Sequence, residues 1–334
     1  MNAPGQFNYL PGPPPFPIAM PAPPSYASAI RYPSVPMQAP AASYPAVPMH
    51  SAPMAMAYYP GAPMRALPPP PPPPFRVPVH AVWADNIDAV RRHMGYFAAH
   101  AVCLAVKVHY PGVIHHQDDG VAALTTPEKR CAVVKANVDA LKPLQLGLAI
   151  CTDDGRLAAW EFNLSDFDPA VDAHAAHSLL HLQSRGLDVH EHRQRGIPME
   201  ELGKLLRFSG LRSNRPGVSW ITHTGAYPIA YLMKVLDGGK QKLRGDMAGF
   251  LDAVRRSLGE EVYDVATMAA DRPDMPVGLE YIAGRLGLAP PLATNLLAGA
   301  GSVLALQAFI KLRSQVFRGD MTRYRGVLQG LHTI

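Results

Sequence analysis

The sequence predicts an α/β domain with a mixed central sheet over residues 81–334, preceded by a disordered proline-rich tail over residues 1–80. Three observations predict it. Short apolar runs with strand-like alternation come early in the folded part. From Asp166 onward, helical patterns alternate with brief strands, as in α/β domains. The composition also changes abruptly. Residues 1–80 hold 25 of the 36 prolines and six of the 13 tyrosines, and no Asp or Glu; their only fixed charges are Arg31, Arg65 and Arg76. Such a segment cannot bury enough apolar surface to fold alone. Residues 81–334 carry 28 Lys and Arg against 26 Asp and Glu, a net of +2. The sequence pI near 9.1 is thus partly a property of the tail, which argues against a dedicated basic nucleic-acid surface.

In chain order, the tail repeats a loose Tyr/Met/Pro/Ala theme and ends in the run Pro68–Pro74. That run favours polyproline II and suits the aromatic grooves of SH3- or WW-type modules, although a flexible tail with semi-rigid spacers is the simpler reading. Asp85 or Asn86 is placed to cap a helix running to about Ala99. The stretch Ala101–His109 is read as the opening buried strand and ends at the Pro111-Gly112 turn. A helix is expected over about Pro127–Leu141. The runs Leu144–Cys151 and Leu157–Asn163, separated by Asp153-Asp154-Gly155, form a hairpin signal. Helices follow around Leu179–Leu182, over Met199–Phe208 and over Tyr227–Leu236. Val218–Thr222 is a short strand. Further helices cover Phe250–Leu258, Leu279–Leu286 and Val303–Phe317, with a brief extended piece at Val262–Val265.

Few residues point to chemistry by themselves. Lys107 and His109 alternate with Val106 and Val108, so they share one face of their strand. A cation and an imidazole there suggest either a solvated edge or an active site, present or lost. His174, His177 and His181 are spaced for one helical face, with His190 and His192 beyond; facing imidazoles can hold a borderline metal. A half-exposed polar face is the simpler reading. Cys103, Cys131 and Cys151 form no metal-binding spacing and suit a reducing compartment. There is no GxGxxG, P-loop or GxSxG element, no signal-peptide pattern, and no apolar run of membrane-spanning length.

Several segments carry a family resemblance in order. They include Val82-Trp83-Ala84-Asp85-Asn86, Tyr110-Pro111-Gly112-Val113 and the run Asn137-Val138-Asp139-Ala140-Leu141-Lys142-Pro143-Leu144-Gln145-Leu146-Gly147-Leu148. Trp160-Glu161-Phe162-Asn163, Tyr231-Leu232-Met233-Lys234, Val262-Tyr263-Asp264-Val265 and Tyr324-Arg325-Gly326-Val327 follow. Over about residues 80–332 the chain resembles the CAF-one (Pop-two) ribonuclease family, the poly(A) deadenylase subunits of the CCR-four–NOT complex. The resemblance implies an RNase H-like exonuclease fold of the DEDD superfamily. It also implies a 3′→5′ exonuclease with two divalent metals such as Mg²⁺, four carboxylate ligands and a His base.

The family's site residues do not carry over. Its opening motif, D-x-E-F-P-G-V, sets its Asp on Lys107 and its Glu on His109. Its next Asp falls on Pro228, counted from Trp220. The His and Asp of its last motif fall on Leu296 and Gly301. At none of the five is the family's residue type retained. Hard divalent ions need oxygen ligands, so the resemblance implies a subunit without metal cofactors and without catalysis, acting as an adaptor or competitor. Its expected partners are the NOT scaffold and other deadenylase subunits. Two other readings stay open: an altered nuclease drawing on Asp264, Asp118 and Asp119, and a module binding poly(A) RNA through Lys107 and His109. The family also implies residence in nucleus and cytoplasm, including sites of mRNA decay.

Overall fold

Strand alternation decides which face each side chain takes, and the layers follow from it. The computed structural model describes residues 77–116, 126–211, 217–243, 245–276, 278–288 and 297–332. The polyproline run, the rest of the tail before residue 77, and Asp118, Asp119 and Leu296 lie outside the described residues.

Six strands form one sheet: β1 (Val79–Val82), β2 (Ala101–His109), β3 (Gln145–Thr152), β4 (Leu157–Asn163), β5 (Ser219–Thr222) and β6 (Val262–Asp264). Their spatial order is β1-β4-β3-β2-β5-β6. The β2–β3 and β3–β4 pairs are antiparallel, whereas β1–β4, β2–β5 and β5–β6 are parallel. The helices are α1 (Ile87–His100), α2 (Pro127–Ala140), α3 (Ala176–Ser184), α4 (Val189–Arg195), α5 (Met199–Phe208), α6 (Ala226–Leu236), α7 (Met247–Leu258), α8 (Val265–Ala270), α9 (Leu279–Arg285) and α10 (Ala298–Lys311). No helix among the described residues is long and apolar enough to cross a membrane.

One face of the sheet presents Leu104, Val106, Val108, Leu146, Leu148, Ile150, Trp160 and Phe162, packed against buried residues of α1, α2, α5, α6 and α7. The other presents small residues, Cys103, Ala105, Ala149 and Ala159, against α8, α9 and α10. The difference in side-chain size has a consequence. Gly147 lies on the second face, and a Cβ there would collide with the backbone of Ala298 and Gly299. A Cβ on Gly299 would in turn meet Val79 and Glu161. The start of α10 therefore touches the sheet backbone to backbone.

Polar residues pin the connections. Asn137 of α2 is fully buried. Its Oδ1 accepts from Ile114 N (2.8 Å) and His115 N (2.9 Å), and its Nδ2 donates to His115 O and to Tyr227 Oη. Lys234 donates to Val138 O (2.6 Å) and Leu141 O (2.8 Å), placing its charge at the end of α2 where the helix dipole favours a cation.

Several expectations shift by local physics. Val77 is buried and β1 begins at Val79, inside the segment read as tail; its partner β4 lies far along the chain. The strand Ala101–His109 has the expected bounds, but it is neither the opening strand nor an edge: β3 and β5 flank it. Asn86 holds the N-cap position of α1 without capping it, because its Oδ1 accepts from Trp83 N and its Nδ2 donates to Ala81 O. Val265 is helical rather than extended, with Asp264 capping α8. Helix α10 begins at Ala298, five residues before the expected Val303, since its Gly/Ala-rich start forms where only small residues fit.

Two glycine substitutions test the contact. Gly147→Ala is expected to lower stability by roughly 1–3 kcal/mol through overpacking. Gly95→Ala, inside α1 with nothing within 4 Å of the added methyl, is expected to raise it by roughly 0.5–1 kcal/mol. Urea unfolding of the two variants beside the parent protein measures both.

Candidate functional site

The odd-numbered residues of β2 face α10, so Lys107 and His109 continue the series Cys103, Ala105 toward that helix. In the β3 register Lys107 lies opposite Gly147 and His109 opposite Gln145. In the β5 register Ala105 lies opposite Ile221. His223 directly follows β5, near enough for the Lys107 charge to act on it. From above, Gly301 closes onto the lysine stem: a Cβ on Gly301 would stand 3.1 Å from Lys107 Cγ. The glycine leaves the room that the four-carbon stem takes up.

The charge environment is unusual. The Lys107 ammonium makes no hydrogen bond or ion pair among the described residues. His109 Nδ1, His223 Nε2 and Gln145 Oε1 are buried without a hydrogen-bond partner. Burial, with the Lys107 charge added, holds both His109 and His223 at about 3, so both imidazoles are neutral at ordinary pH. Lys107 is itself held below the usual lysine range, chiefly by burial; the Arg185 charge adds to that, while Glu280 and Asp264 oppose it. His181 and Arg185, on and just after α3, also bear on His109.

The other expected positions are distributed differently. Pro228 is buried in the first turn of α6, where its missing N–H breaks no intrahelical bond. Beside it Tyr110 stacks on Tyr227 (5.1 Å between centroids) and Tyr231 (4.8 Å). The structure thus brings Lys107, His109 and Gly301 together and puts Pro228 at the start of the helix that follows β5. His223 and Arg185 are additions. His223 could have been found by extending the Trp220-Ile221-Thr222 strand by one residue and aligning it with β2. Arg185 carries no sequence signal, since only the docking of α3 brings it near.

Carboxylates near this end are already engaged. Both oxygens of fully buried Asp264 are filled: Oδ1 accepts from Thr224 N and Ala266 N (3.0 Å each), and Oδ2 from Gly225 N (2.7 Å) and Gln329 N (2.8 Å). Burial nevertheless raises its pKa to about 6. Glu161 accepts from Gly299 N (2.8 Å), a favourable place for a carboxylate at the α10 N-terminus. Asp264 is therefore a joint between α8, the β5–α6 turn and the C-terminal segment, and not a free ligand as the altered-nuclease reading requires.

Hard divalent ions take oxygen ligands. Against that need, this face offers an ammonium, two imidazoles and a glycine, and Pro228 adds no donor. Among the described residues no group of three or more His, Cys, Asp or Glu side chains is placed to hold a metal ion. The donor set does not fit a pair of hard dications. The histidine row also dissolves: His174 precedes α3 and its Nδ1 meets Asp172 O, while His192 is buried with its Nδ1 near Leu164 O.

The depressed imidazoles have a consequence for stability. A base whose folded pKa lies below its unfolded value gives stability that is complete above about pH 6.5 and is lost as pH falls toward the folded pKa of about 3. Asp264 acts with the opposite sign between its usual range and about 6, but it is common to parent and variant. His223→Gln is expected to flatten the acid limb of the stability–pH curve relative to the parent protein, measured by urea unfolding between pH 4 and 7.

Comparison with known proteins gives these observations their setting. No protein-family model matches the chain. It is 28% identical over 264 residues to CCR4-associated factor 1 homolog 7 of Arabidopsis thaliana, covering 76% of this chain and 94% of that protein. It is 32% identical over 214 residues to CCR4-associated factor 1 homolog 8 of the same plant, covering 63% and 85%. Among solved structures, S. pombe Pop2p in its Mg²⁺- and Mn²⁺-bound form matches with TM-score 0.68 and 26% identity over 76% of this chain and 100% of that one. The RNase domain of yeast Pop2 shares the fold, with TM-score 0.61 and 24% identity over 79% of this chain and 98% of that one. Sequence similarity and structural likeness agree: this chain belongs to the CCR4-associated factor 1 (Pop2) family and has the family's RNase H-like exonuclease fold.

Proposed function

We propose that this protein is a CCR4–NOT subunit of the CCR4-associated factor 1 type that has given up exonuclease chemistry and works in poly(A)-tail shortening as an adaptor or competitor of active subunits. The observation that carries the reading is the Lys107–Gly301 contact. Where the family resemblance sets two acids, a cation and a side-chain-less residue fill each other's space. Two-metal phosphoryl transfer needs convergent oxygen ligands that hold both ions. An ammonium in their place replaces attraction by repulsion, worth about 4 kcal/mol per unit-charge pair at 4 Å and an effective dielectric of 20. His109, Pro228 and Gly301 supply no compensating oxygen, and on this reading the protein uses no metal cofactor.

The expected partner is the NOT scaffold. Support comes from yeast CAF1, which co-crystallises with the NOT1 MIF4G domain and shares this fold. Residence in nucleus and cytoplasm and at sites of mRNA decay goes with that assignment, as does recruitment of SH3- or WW-type modules by the tail.

The test is a nuclease assay with the full chain, 3′-poly(A) RNA and Mg²⁺ or Mn²⁺. No shortening is expected, and the single reversal Lys107→Asp is expected to restore none, since one carboxylate does not make a two-metal site. Chelator-sensitive shortening by the unaltered protein would overturn the reading. In parallel, capture by a NOT1 MIF4G domain is expected; its absence would remove the adaptor role.

A further inference from the structure

We propose that Cys103 of β2 and Cys151 of β3 are a redox pair: a peroxide joins them by a cross-strand disulfide that locks the two strands together. Both are free thiols in the structure. The proposal is independent of what the polar end of the sheet binds.

Register places the two sulfurs together. Strands β2 and β3 are antiparallel, and Cys103 stands directly opposite Cys151. Residues so paired leave the sheet on the same face, with Cα atoms and Cβ atoms each about 4.5–5.5 Å apart. A disulfide spans Cα separations of about 4.4–6.8 Å and Cβ separations of about 3.5–4.5 Å. The Cα condition is met as the strands stand, and the Cβ atoms need to close by about 1 Å. The ladder has a place to give: its register shifts between Ala101 and Cys103, and such a bulge interrupts pairing and increases local twist. Both side chains lie on the small-residue face, where the neighbouring Ala105 and Ala149 leave room. The third cysteine of the chain, Cys131, is buried in the core on the opposite face and reaches neither of them.

The two thiols take different parts. Cys151 is partly exposed, whereas Cys103 is 5% exposed, so hydrogen peroxide meets Cys151 first. The Cys151 thiolate attacks one peroxide oxygen, the O–O bond breaks, and the hydroxide that leaves takes up the proton the thiol released. A sulfenic acid and one water result. Cys103 then attacks the sulfenic sulfur. The S–S bond forms, the S–O bond breaks, and the hydroxyl departs with the Cys103 proton as a second water. The two sulfurs together lose two electrons and the peroxide gains them. The surroundings make the reaction slow and its product durable. Burial lifts the Cys151 thiol, and the Asp154 carboxylate adds to this. Burial and Cys151 push Cys103 up to about 11, with Arg313 opposing. Thiols with little thiolate are sluggish nucleophiles, and a disulfide whose sulfurs leave as unfavoured thiolates is slow to be reduced. The bond also closes a loop that holds the rest of β2, all of α2 and most of β3, which restricts the unfolded chain more than a short loop does.

The test is oxidation of the fully reduced full chain with hydrogen peroxide, followed by thiol alkylation, digestion and mass spectrometry. A peptide pair joining Cys103 to Cys151 within one chain is expected, with Cys131 still open to alkylation after unfolding. The cross-linked protein is expected to melt roughly 5–10 °C above the reduced one and to return to the reduced midpoint with dithiothreitol. Cys151→Ser, at the partly exposed position, is expected to abolish the cross-link and the shift together. Cys103→Ala is expected to leave Cys151 oxidising on to sulfinic acid instead. The measurement on the unaltered protein needs neither variant to fold. Sulfinic acid on Cys151 beside a reduced Cys103 in the unaltered protein, or a cross-link between chains only, would overturn the pairing. Complete cross-linking with an unchanged or lowered midpoint would overturn the lock.

Discussion

The close approach of α10 to the sheet is the constraint on which the rest of the structure depends. It is possible because one sheet face is built from Ala105, Gly147, Ala149 and Ala159 while the other carries leucine, tryptophan and phenylalanine. Apolar burial on the large-residue side supplies most of the driving force for folding, at roughly 25 cal/mol per Å². The small-residue side contributes position instead. With α10 seated on Gly147, the Glu161 carboxylate reaches Gly299 N and the Gly301 position comes down onto Lys107.

The same constraint accounts for the residues found at the positions where the family resemblance sets acids. A Cβ at 301 would press on the lysine stem at 107, 3.1 Å from its Cγ, so lysine and glycine make a complementary pair. Proline at 228 costs little because it falls in the unpaired first turn of α6. Asp264 keeps its carboxylate for a structural purpose, joining the β5–α6 turn, α8 and the C-terminal segment through four backbone hydrogen bonds. Asn137 and Lys234 do comparable work around α2. Packing and polar pinning hold the framework together, and neither draws on the positions that the resemblance assigns to metal ligands.

Much of this was legible in the sequence, for identifiable reasons. Strands Ala101–His109 and Leu157–Asn163 alternate cleanly and are bounded by turns, so their limits agree with the structure. Strand β1 did not stand out, because it is short, follows directly on Pro78 and the proline-rich tail, and pairs with the remote β4. The start of α10 was hidden because its glycines are poor helix formers and its run of small residues shows no apolar periodicity. Lys107 and His109 could be set on one face by parity alone, and Gly301 followed from the family motif. His223 required the pairing of β5 beside β2, and Arg185 the docking of α3. Neither distance in sequence nor residue type could show that these groups share one neighbourhood. Nor could the sequence separate Asp264 as a ligand from Asp264 as a joint; its four donors come from three different segments.

On the proposed reading, the polar end of this sheet repels divalent cations where the family resemblance sets ligands for them. Mn²⁺ binding to the full chain, followed by electron paramagnetic resonance with Lys107→Asp alongside, tests it most directly. No tightly bound Mn²⁺ on the unaltered protein is the expected result. Stoichiometric Mn²⁺ that broadens the His109 and His223 ring signals would contradict the account.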